Sequence, residues 1–336
     1  KRAATKKIGE ADTELEDDGT ATTCSLSSLE SEDEWDDSPI IAHEHEVAVI
    51  GYMLSQLSLK QGIREFGDRA REGAMKEMTQ MHDMQAFFPR DPRSLTKAER
   101  IRALSSLIFL KEKRDGSIKG RTCINGAPQR EYIRKEDAAS PTAADGALFI
   151  TGAIDAFEER EVATCDLPGA FLHTKTDEHV IMVLRGELAD LMVKVNPKLY
   201  RKHVTRTARG EPLLYVQLYK SVYGLLRSAL LFYRKLRKEL EEYGFTVNPY
   251  DPCVANMDTP GGQISVLWHV DDLKISCKDG FEITRLLCYL KRIYGENIVA
   301  HRGKRHDYLG MDLDYSEKGV FTVTMIPYID KIFEDF

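Results

Sequence analysis

The run Leu267-Trp268-His269-Val270-Asp271-Asp272-Leu273-Lys274-Ile275 leaves this chain few places to put it. Two adjacent carboxylates sit between apolar, β-prone segments. At ~4 Å two like charges cost about 4 kcal/mol at the dielectric of a protein surface, unless a cation lies between them. The pattern predicts a hairpin in which residues 263–268 rise, 269–272 turn and 273–277 return, so that the turn carries both carboxylates beyond the end of a sheet. An exposed type I turn, where Asp is common, explains the same residues without any ligand.

A third carboxylate, about 105 residues upstream, favours the first reading. In Val162-Ala163-Thr164-Cys165-Asp166-Leu167-Pro168-Gly169-Ala170-Phe171-Leu172 a short β-prone segment again ends in aspartate, and Pro-Gly stops the strand there. If the two strands are neighbours, three carboxylates converge at one end of a sheet. Hard-cation chemistry uses such geometry: Mg²⁺ takes one or two carboxylates together with substrate phosphates, and a metal pair clamps the attacking and leaving oxygens of an in-line displacement.

From about residue 60 to the C-terminus the chain resembles the reverse transcriptase of copia-type LTR retrotransposons. The resemblance rests on ordered blocks: Lys113-Arg114-Asp115-Gly116-Ser117-Ile118-Lys119-Gly120-Arg121, Ser140-Pro141-Thr142, Asp166-Leu167-Pro168-Gly169-Ala170-Phe171-Leu172, Leu218-Tyr219-Lys220-Ser221-Val222-Tyr223-Gly224-Leu225, His269-Val270-Asp271-Asp272, Tyr308-Leu309-Gly310-Met311 and Tyr328-Ile329. It implies an α+β right-hand polymerase, with fingers and a palm built on an antiparallel sheet packed by helices. The activity implied is RNA-directed DNA synthesis, in which a primer 3′-hydroxyl attacks the α-phosphate of a deoxynucleoside triphosphate with two Mg²⁺ (or Mn²⁺) ions. Asp166 and Asp271 are then the residues expected to hold both metals, with Asp272 supporting the second and Leu167 offering a backbone carbonyl. Phe171 matches the aromatic that closes the sugar pocket against a ribose 2′-hydroxyl. Tyr223 and Gly224 match the loop touching nucleotide and template, while Arg121, then Lys113, are candidates to meet the triphosphate.

The chain departs from its relatives in places. His269 stands where Tyr is usual, and Arg227, Ala229 and Leu230 replace a Gln and a Pro-Arg pair. For a late general-acid lysine, Lys291 and Lys304 are both candidates. Expected partners are an RNA or DNA template with its primer, deoxynucleoside triphosphates, and the remainder of a polyprotein bearing integrase and ribonuclease H; no membrane partner is expected. The expected location is intracellular, in a cytoplasmic virus-like particle or the nucleus. Two rivals remain: a DNA-templated or template-independent nucleotidyltransferase, and a decayed element that binds nucleic acid without catalysis.

Composition sets the remaining bounds. With 336 residues, 42% of them hydrophobic, the chain can bury a sizeable core. No apolar run reaches the ~20 residues of a membrane span. The six cysteines are scattered without zinc spacing, which reads as reduced and structural, and His43-Glu44-His45 reads as an exposed loop. The net charge of −7 conceals a division: residues 1–59 hold 14 acidic and four basic residues, whereas the rest holds 43 Lys and Arg against 40 Asp and Glu. Within residues 198–238 eleven cations face Glu211 alone, the electrostatic footprint of a polyanion partner. The basic start Lys1-Arg2-Ala3-Ala4-Thr5-Lys6-Lys7 resembles half of a bipartite nuclear-import signal.

The expected division is a disordered acidic linker over 1–42, fingers with an N-terminal helix over 43–140, a palm over 141–315, and the start of a thumb or connection over 316–336. Helices are expected at about 57–84, 144–158 and 225–243. A fingers hairpin is expected from 104–110 and 118–124, and strands at 180–184 and 213–218. Strand, helix and two strands in one antiparallel sheet make the split βαβ arrangement of a polymerase palm.

Overall fold

The computed structural model describes residues 57–113 and 116–335. The expected acidic linker, His43-Glu44-His45, Arg114 and Asp115 of the fingers turn, and Phe336 lie outside the described residues. Two sheets, each with its own core, dominate the fold, and a small third sheet packs on the second.

The first sheet is built on the hairpin of Leu104–Glu112 and Ile118–Ile124. Alternate residues of the second strand, Ile118, Gly120, Thr122 and Ile124, are buried, so one face is packed while Lys119 and Arg121 point outward. The helix Asp68–Asp83 lies on the packed face through Ala70, Gly73 and Ala74. Its approach is close: a Cβ on Gly73 would sit 2.6 Å from the carbonyl oxygen of Ile118. Beyond the hairpin the sheet continues through Ile181–Arg185 to Pro212–Leu218, whose outer edge is shared by Phe87–Pro89 and Val204–Arg206. The helix Glu187–Val195 adds Leu188, Leu191 and Met192 to the same core.

The second sheet runs, in spatial order, Ala300–Gly303, Glu161–Asp166, Asp272–Cys277, Gly262–His269, Val254–Thr259 and Thr246–Val247, with every neighbouring pair antiparallel. Four of these strands, with the helices Ser228–Tyr243 and Gly280–Tyr294, follow one another as β-α-β-β-α-β in the spatial order 4-1-3-2, the split βαβ arrangement. One face, through Ala163, Cys165, Val266, Trp268, Leu273 and Ile275, meets Leu230, Phe232, Leu236, Ile283, Leu286 and Leu290 of the two helices. The other face meets the helix Asp145–Phe157 and the third sheet of Arg305–Tyr308, Met311–Asp314 and Thr322–Thr324. There Lys274 is buried and ion-paired with buried Asp155, which ties that helix to the strand carrying Asp272. The helix Ile326–Asp335 ends the described residues.

Several sequence expectations change. The helix expected over 57–84 is a short strand, Leu57–Ser58, and two helices, Leu59–Phe66 and Asp68–Asp83, broken at Gly67 with φ 56°. The strands at 181–185 and 212–218, which chain order assigns to the palm sheet, belong to the first sheet, because their partners are Leu104, Ser105 and residues 87–89 rather than the carboxylate-bearing strands. The helix Glu187–Val195 and the third sheet have no counterpart among the elements expected from sequence. No helix among the described residues is long and apolar enough to cross a membrane.

Candidate active site

The strand Glu161–Asp166 pairs directly with Asp272–Cys277, and the last matched pair of that ladder is Asp166 opposite Asp272. The amide of Leu167 donates to the carbonyl of Asp271 at 3.0 Å, which makes Asp166 and Asp272 a non-hydrogen-bonded pair. In such pairs the side chains leave the same face of the sheet and the Cα atoms are about 4.5 Å apart. Asp271 is the second residue of the two-residue turn that joins His269 to Asp272. All three carboxylates therefore gather at one end of the sheet.

The turn is strained by its own sequence. Val270 has φ 57° while Asp271 does not share the left-handed region, a type II′ arrangement whose first position usually holds glycine. A β-branched residue there costs on the order of 1–3 kcal/mol. Val270 also packs on the second core, which supplies the offset. The neighbouring hairpin tip Leu309-Gly310 has both residues at positive φ, and the Tyr308 hydroxyl donates to the Asp272 carbonyl at 3.2 Å, bracing the strand that carries Asp272.

Charge in the cluster is uncompensated from within. Burial pushes the Asp272 carboxyl up to about 6, and the like charges of Asp271 and Asp166 add to this, while His269 across the ladder opposes it. Asp271 is also raised, first by burial and then by Asp166, against its own backbone amide and the positive charges of Arg121 and Lys119. Among the described residues no group of three or more His, Cys, Asp or Glu is arranged so that it could hold a metal ion by itself. The donor set nonetheless suits a hard cation: it consists of carboxylates that repel one another and are partly desolvated, and Mg²⁺ completes its shell with water and substrate phosphate.

In the metal-free protein the burial of Asp272, with the repulsion added to it, makes stability depend on pH. Because the folded Asp272 binds its proton more tightly than an ordinary carboxyl, whose value is 3.8, the site is least unfavourable at acid pH, and the penalty grows as pH rises through about 6. Asp272→Asn removes that penalty, so with chelator present it raises stability by about 2 kcal/mol at pH 7.5 and by little near pH 4. Urea denaturation at both pH values measures this; a variant less stable than the parent at pH 7.5 contradicts it.

Arg121, Tyr223 and Phe171 stand in a row beside the carboxylates. The Arg121 guanidinium lies 4.8 Å from the Tyr223 ring centre, and the Phe171 ring meets Tyr223 edge-on at 4.7 Å. Phe171 also touches Phe232 of the helix Ser228–Tyr243, so its ring is fixed from two sides. Burial, then the charge of Asp271, pushes the Tyr223 hydroxyl up to about 12, and it stays protonated at neutral pH. Gly224 has φ 93°, and a Cβ on it would fall 2.0 Å from the carbonyl oxygen of Ile124. Its close approach is thus to the strand Ile118–Ile124, where the Ile124 amide also donates to the Tyr223 carbonyl at 2.8 Å.

Other sequence candidates lie elsewhere. Lys113 is at the hairpin tip, four residues beyond Phe109, the partner of Arg121, and so ~13 Å further along the strand. Lys119, which shares the outward face with Arg121 and acts on Asp271, is a hairpin cation that the sequence reading noted but passed over for Arg121 and Lys113; its i, i+2 spacing from Arg121 is the signal for it. Lys304 lines a small cavity with Asp155, Arg160 and Tyr315, on the face that Lys274 shares with Asp272, and Lys291 sits in the last turn of the helix Gly280–Tyr294. Neither contacts the carboxylates among the described residues. Of the departures from the resemblance, Arg227 pairs with Asp177 at 2.7 Å and Leu230 is buried in the second core.

The basic stretch 198–238 divides in two. Lys235, Arg237 and Lys238 are ion-paired one helical turn on with Glu239, Glu241 and Glu242, which lie just beyond that stretch. Its first part, 198–209, makes no such pairs among the described residues and is largely exposed.

A sheet of split βαβ type thus ends in three carboxylates, with cations on an adjoining hairpin. A family model described as reverse transcriptase (RNA-dependent DNA polymerase) matches residues 101–336, and the chain belongs to that family. Among solved structures it is similar to apo telomerase from Candida tropicalis, at 9% identity and TM-score 0.40, over 75% of this chain and 53% of that one. It is also similar to telomerase from Candida albicans in complex with a TWJ fragment of telomeric RNA, at 10% identity and TM-score 0.37, over 73% and 50%. The chain thus spans about half the length of these two structures.

Proposed function

We propose that this segment is the RNA-directed DNA polymerase of a copia-type retrotransposon polyprotein, extending a primer on an RNA template with deoxynucleoside triphosphates. The observation that carries this reading is the pairing of Asp166 with Asp272, with Asp271 on the adjoining turn and Arg121 and Lys119 acting on it, in a chain of the reverse transcriptase family. Asp166 and Asp271 would hold two Mg²⁺ or Mn²⁺ ions, with Asp272 and the Leu167 carbonyl in support. Those ions, when bound, would neutralise the charge that develops on the attacking and leaving oxygens.

The protein's own residues position the reactants. Arg121 and Lys119 neutralise the triphosphate, and Tyr223 holds the Arg121 guanidinium by its ring face. Phe171, fixed between Tyr223 and Phe232, forms the wall under the sugar. Residues 1–42 act as a linker, 43–140 as fingers with the N-terminal helix, 141–315 as palm and 316–336 as the start of a thumb, with the excursion through 181–218 returning to the fingers core. The remainder of the polyprotein, with integrase and ribonuclease H, is the expected partner, in a cytoplasmic particle or the nucleus.

Primer extension on matched RNA and DNA templates, with Mg²⁺ and with Mn²⁺, tests the reading. Extension on RNA is expected; none on any template with either metal overturns it in favour of a nucleic-acid-binding relic. In the same assay Phe171→Ala should admit ribonucleotides, lowering discrimination by about 10- to 100-fold. The ratio of kcat/KM for the two sugars is the readout, since it is insensitive to any loss of folded protein from removing a packed ring.

A further inference from the structure

We propose that the exposed segment 198–209 is a second nucleic-acid site, separate from the cleft, that takes the phosphate backbone of RNA extending beyond the primer–template. Residues 194–210 carry Lys194, Lys198, Arg201, Lys202, Arg206 and Arg209 with no Asp or Glu among them. Lys198, Arg201, Lys202, Arg206 and Arg209 are all exposed, and none forms an ion pair among the described residues. That contrasts with Arg227, Lys235, Arg237 and Lys238 later in the stretch, which Asp177, Glu239, Glu241 and Glu242 neutralise. In a chain whose body is nearly balanced in charge, this segment gathers cations with no acidic residue among them.

Its place in the fold separates it from the candidate active site. Val204–Arg206 pairs with Pro212–Leu218 at one edge of the first sheet, whereas Ile118–Ile124, which carries Lys119 and Arg121, forms the opposite edge. Four strand spacings, roughly 20 Å, lie between them. The short helix Pro197–Tyr200 and the turn Arg201–His203 are anchored by Tyr200, which is fully buried and in hydrogen-bond contact with His82 at 2.9 Å. The cations are therefore presented on a fixed base. Lysines guarding an edge strand against association are the ordinary reason for charge there, but the strand has only three residues and most of the cations precede it.

A polyanion is the partner that this charge fits, and phosphates are read by exposed Arg and Lys without base contacts. The proposal rests on the polymerase reading only in taking that polyanion to be RNA. The test measures binding by the parent and by the triple variant Lys198→Glu, Arg201→Glu, Lys202→Glu, using a short primer–template duplex and the same duplex with a single-stranded RNA extension of roughly 20 nucleotides. For the parent the extension should tighten binding about 10-fold and steepen the dependence of log Kd on log salt by about 2, as for three phosphate contacts to a single strand. In the variant both gains should vanish. Equal gains in parent and variant overturn the proposal, as does a parent that gains nothing from the extension. Because binding needs no catalysis, a parent that shows the length-dependent gain yet extends no primer would sink the polymerase reading and leave this site standing.

Discussion

Asp271→Asn should lower nucleotide incorporation by at least about 10³-fold, equivalent to ~4 kcal/mol of transition-state stabilisation, while primer–template affinity changes by less than about threefold. The substitution keeps shape and hydrogen-bonding capacity and removes one negative charge from a site whose carboxylates already raise one another's proton affinity. On the proposed reading the substitution touches the metal site alone and leaves in place every cation that could meet the primer–template backbone, so binding and chemistry separate. Single-turnover incorporation alongside anisotropy binding measures the two quantities. A variant that extends primers at the parental rate would remove Asp271 from the chemistry, whatever the cluster's geometry.

The second large effect is expected on stability. Gly224→Ala places a Cβ 2.0 Å from the Ile124 carbonyl oxygen at a residue with φ 93°, where an L side chain is itself strained. Relief requires the loop 223–225 to move off the strand Ile118–Ile124, which breaks the Ile124–Tyr223 backbone hydrogen bond and the rings and guanidinium stacked on it. Facing it, a Cβ on Gly126 would lie 2.1 Å from the Gly224 carbonyl oxygen, so the two loop segments meet glycine to glycine with no slack. The expected cost is about 3 kcal/mol or more, a fall in Tm on the order of 10 °C. Gly146→Ala is the control, because nothing lies within 4 Å of a Cβ there and it should shift Tm little. Equal stability of Gly224→Ala and the parent would contradict the packing described.

The candidate carboxylates were legible because their signal is local. An aspartate ending a β-prone segment before Pro-Gly, and an aspartate pair at a hairpin tip, both announce where a strand stops, and strand ends are where a sheet presents ligands. The aromatic and cationic partners were less legible. Phe171 and Arg121 came from the resemblance alone, and Lys119 was passed over for Lys113 although alternation along Ile118–Ile124 puts it on the outward face with Arg121. The neutralisation of Lys235, Arg237 and Lys238 is written in i, i+4 spacing and needed only a wider window. That of Arg227 by Asp177, 50 residues away in sequence, is not.

By itself, then, the sequence determined the elements whose causes lie within a few residues: the hairpin of 262–277, the amphipathic helix Ser228–Tyr243, the strand ending at Asp166 and the charge division at about residue 59. Tertiary structure decided which sheet each strand entered. Ile181–Arg185 and Pro212–Leu218 have the same apolar composition as palm strands, and nothing in their own residues distinguishes a partner at Leu104 from one at Glu161. Hydrophobic burial rewards any face that excludes water, so it specifies that a strand is buried but not against what. The choice falls to close fits such as Gly73 on Ile118 and Gly224 on Ile124, and these exist only once distant segments have met.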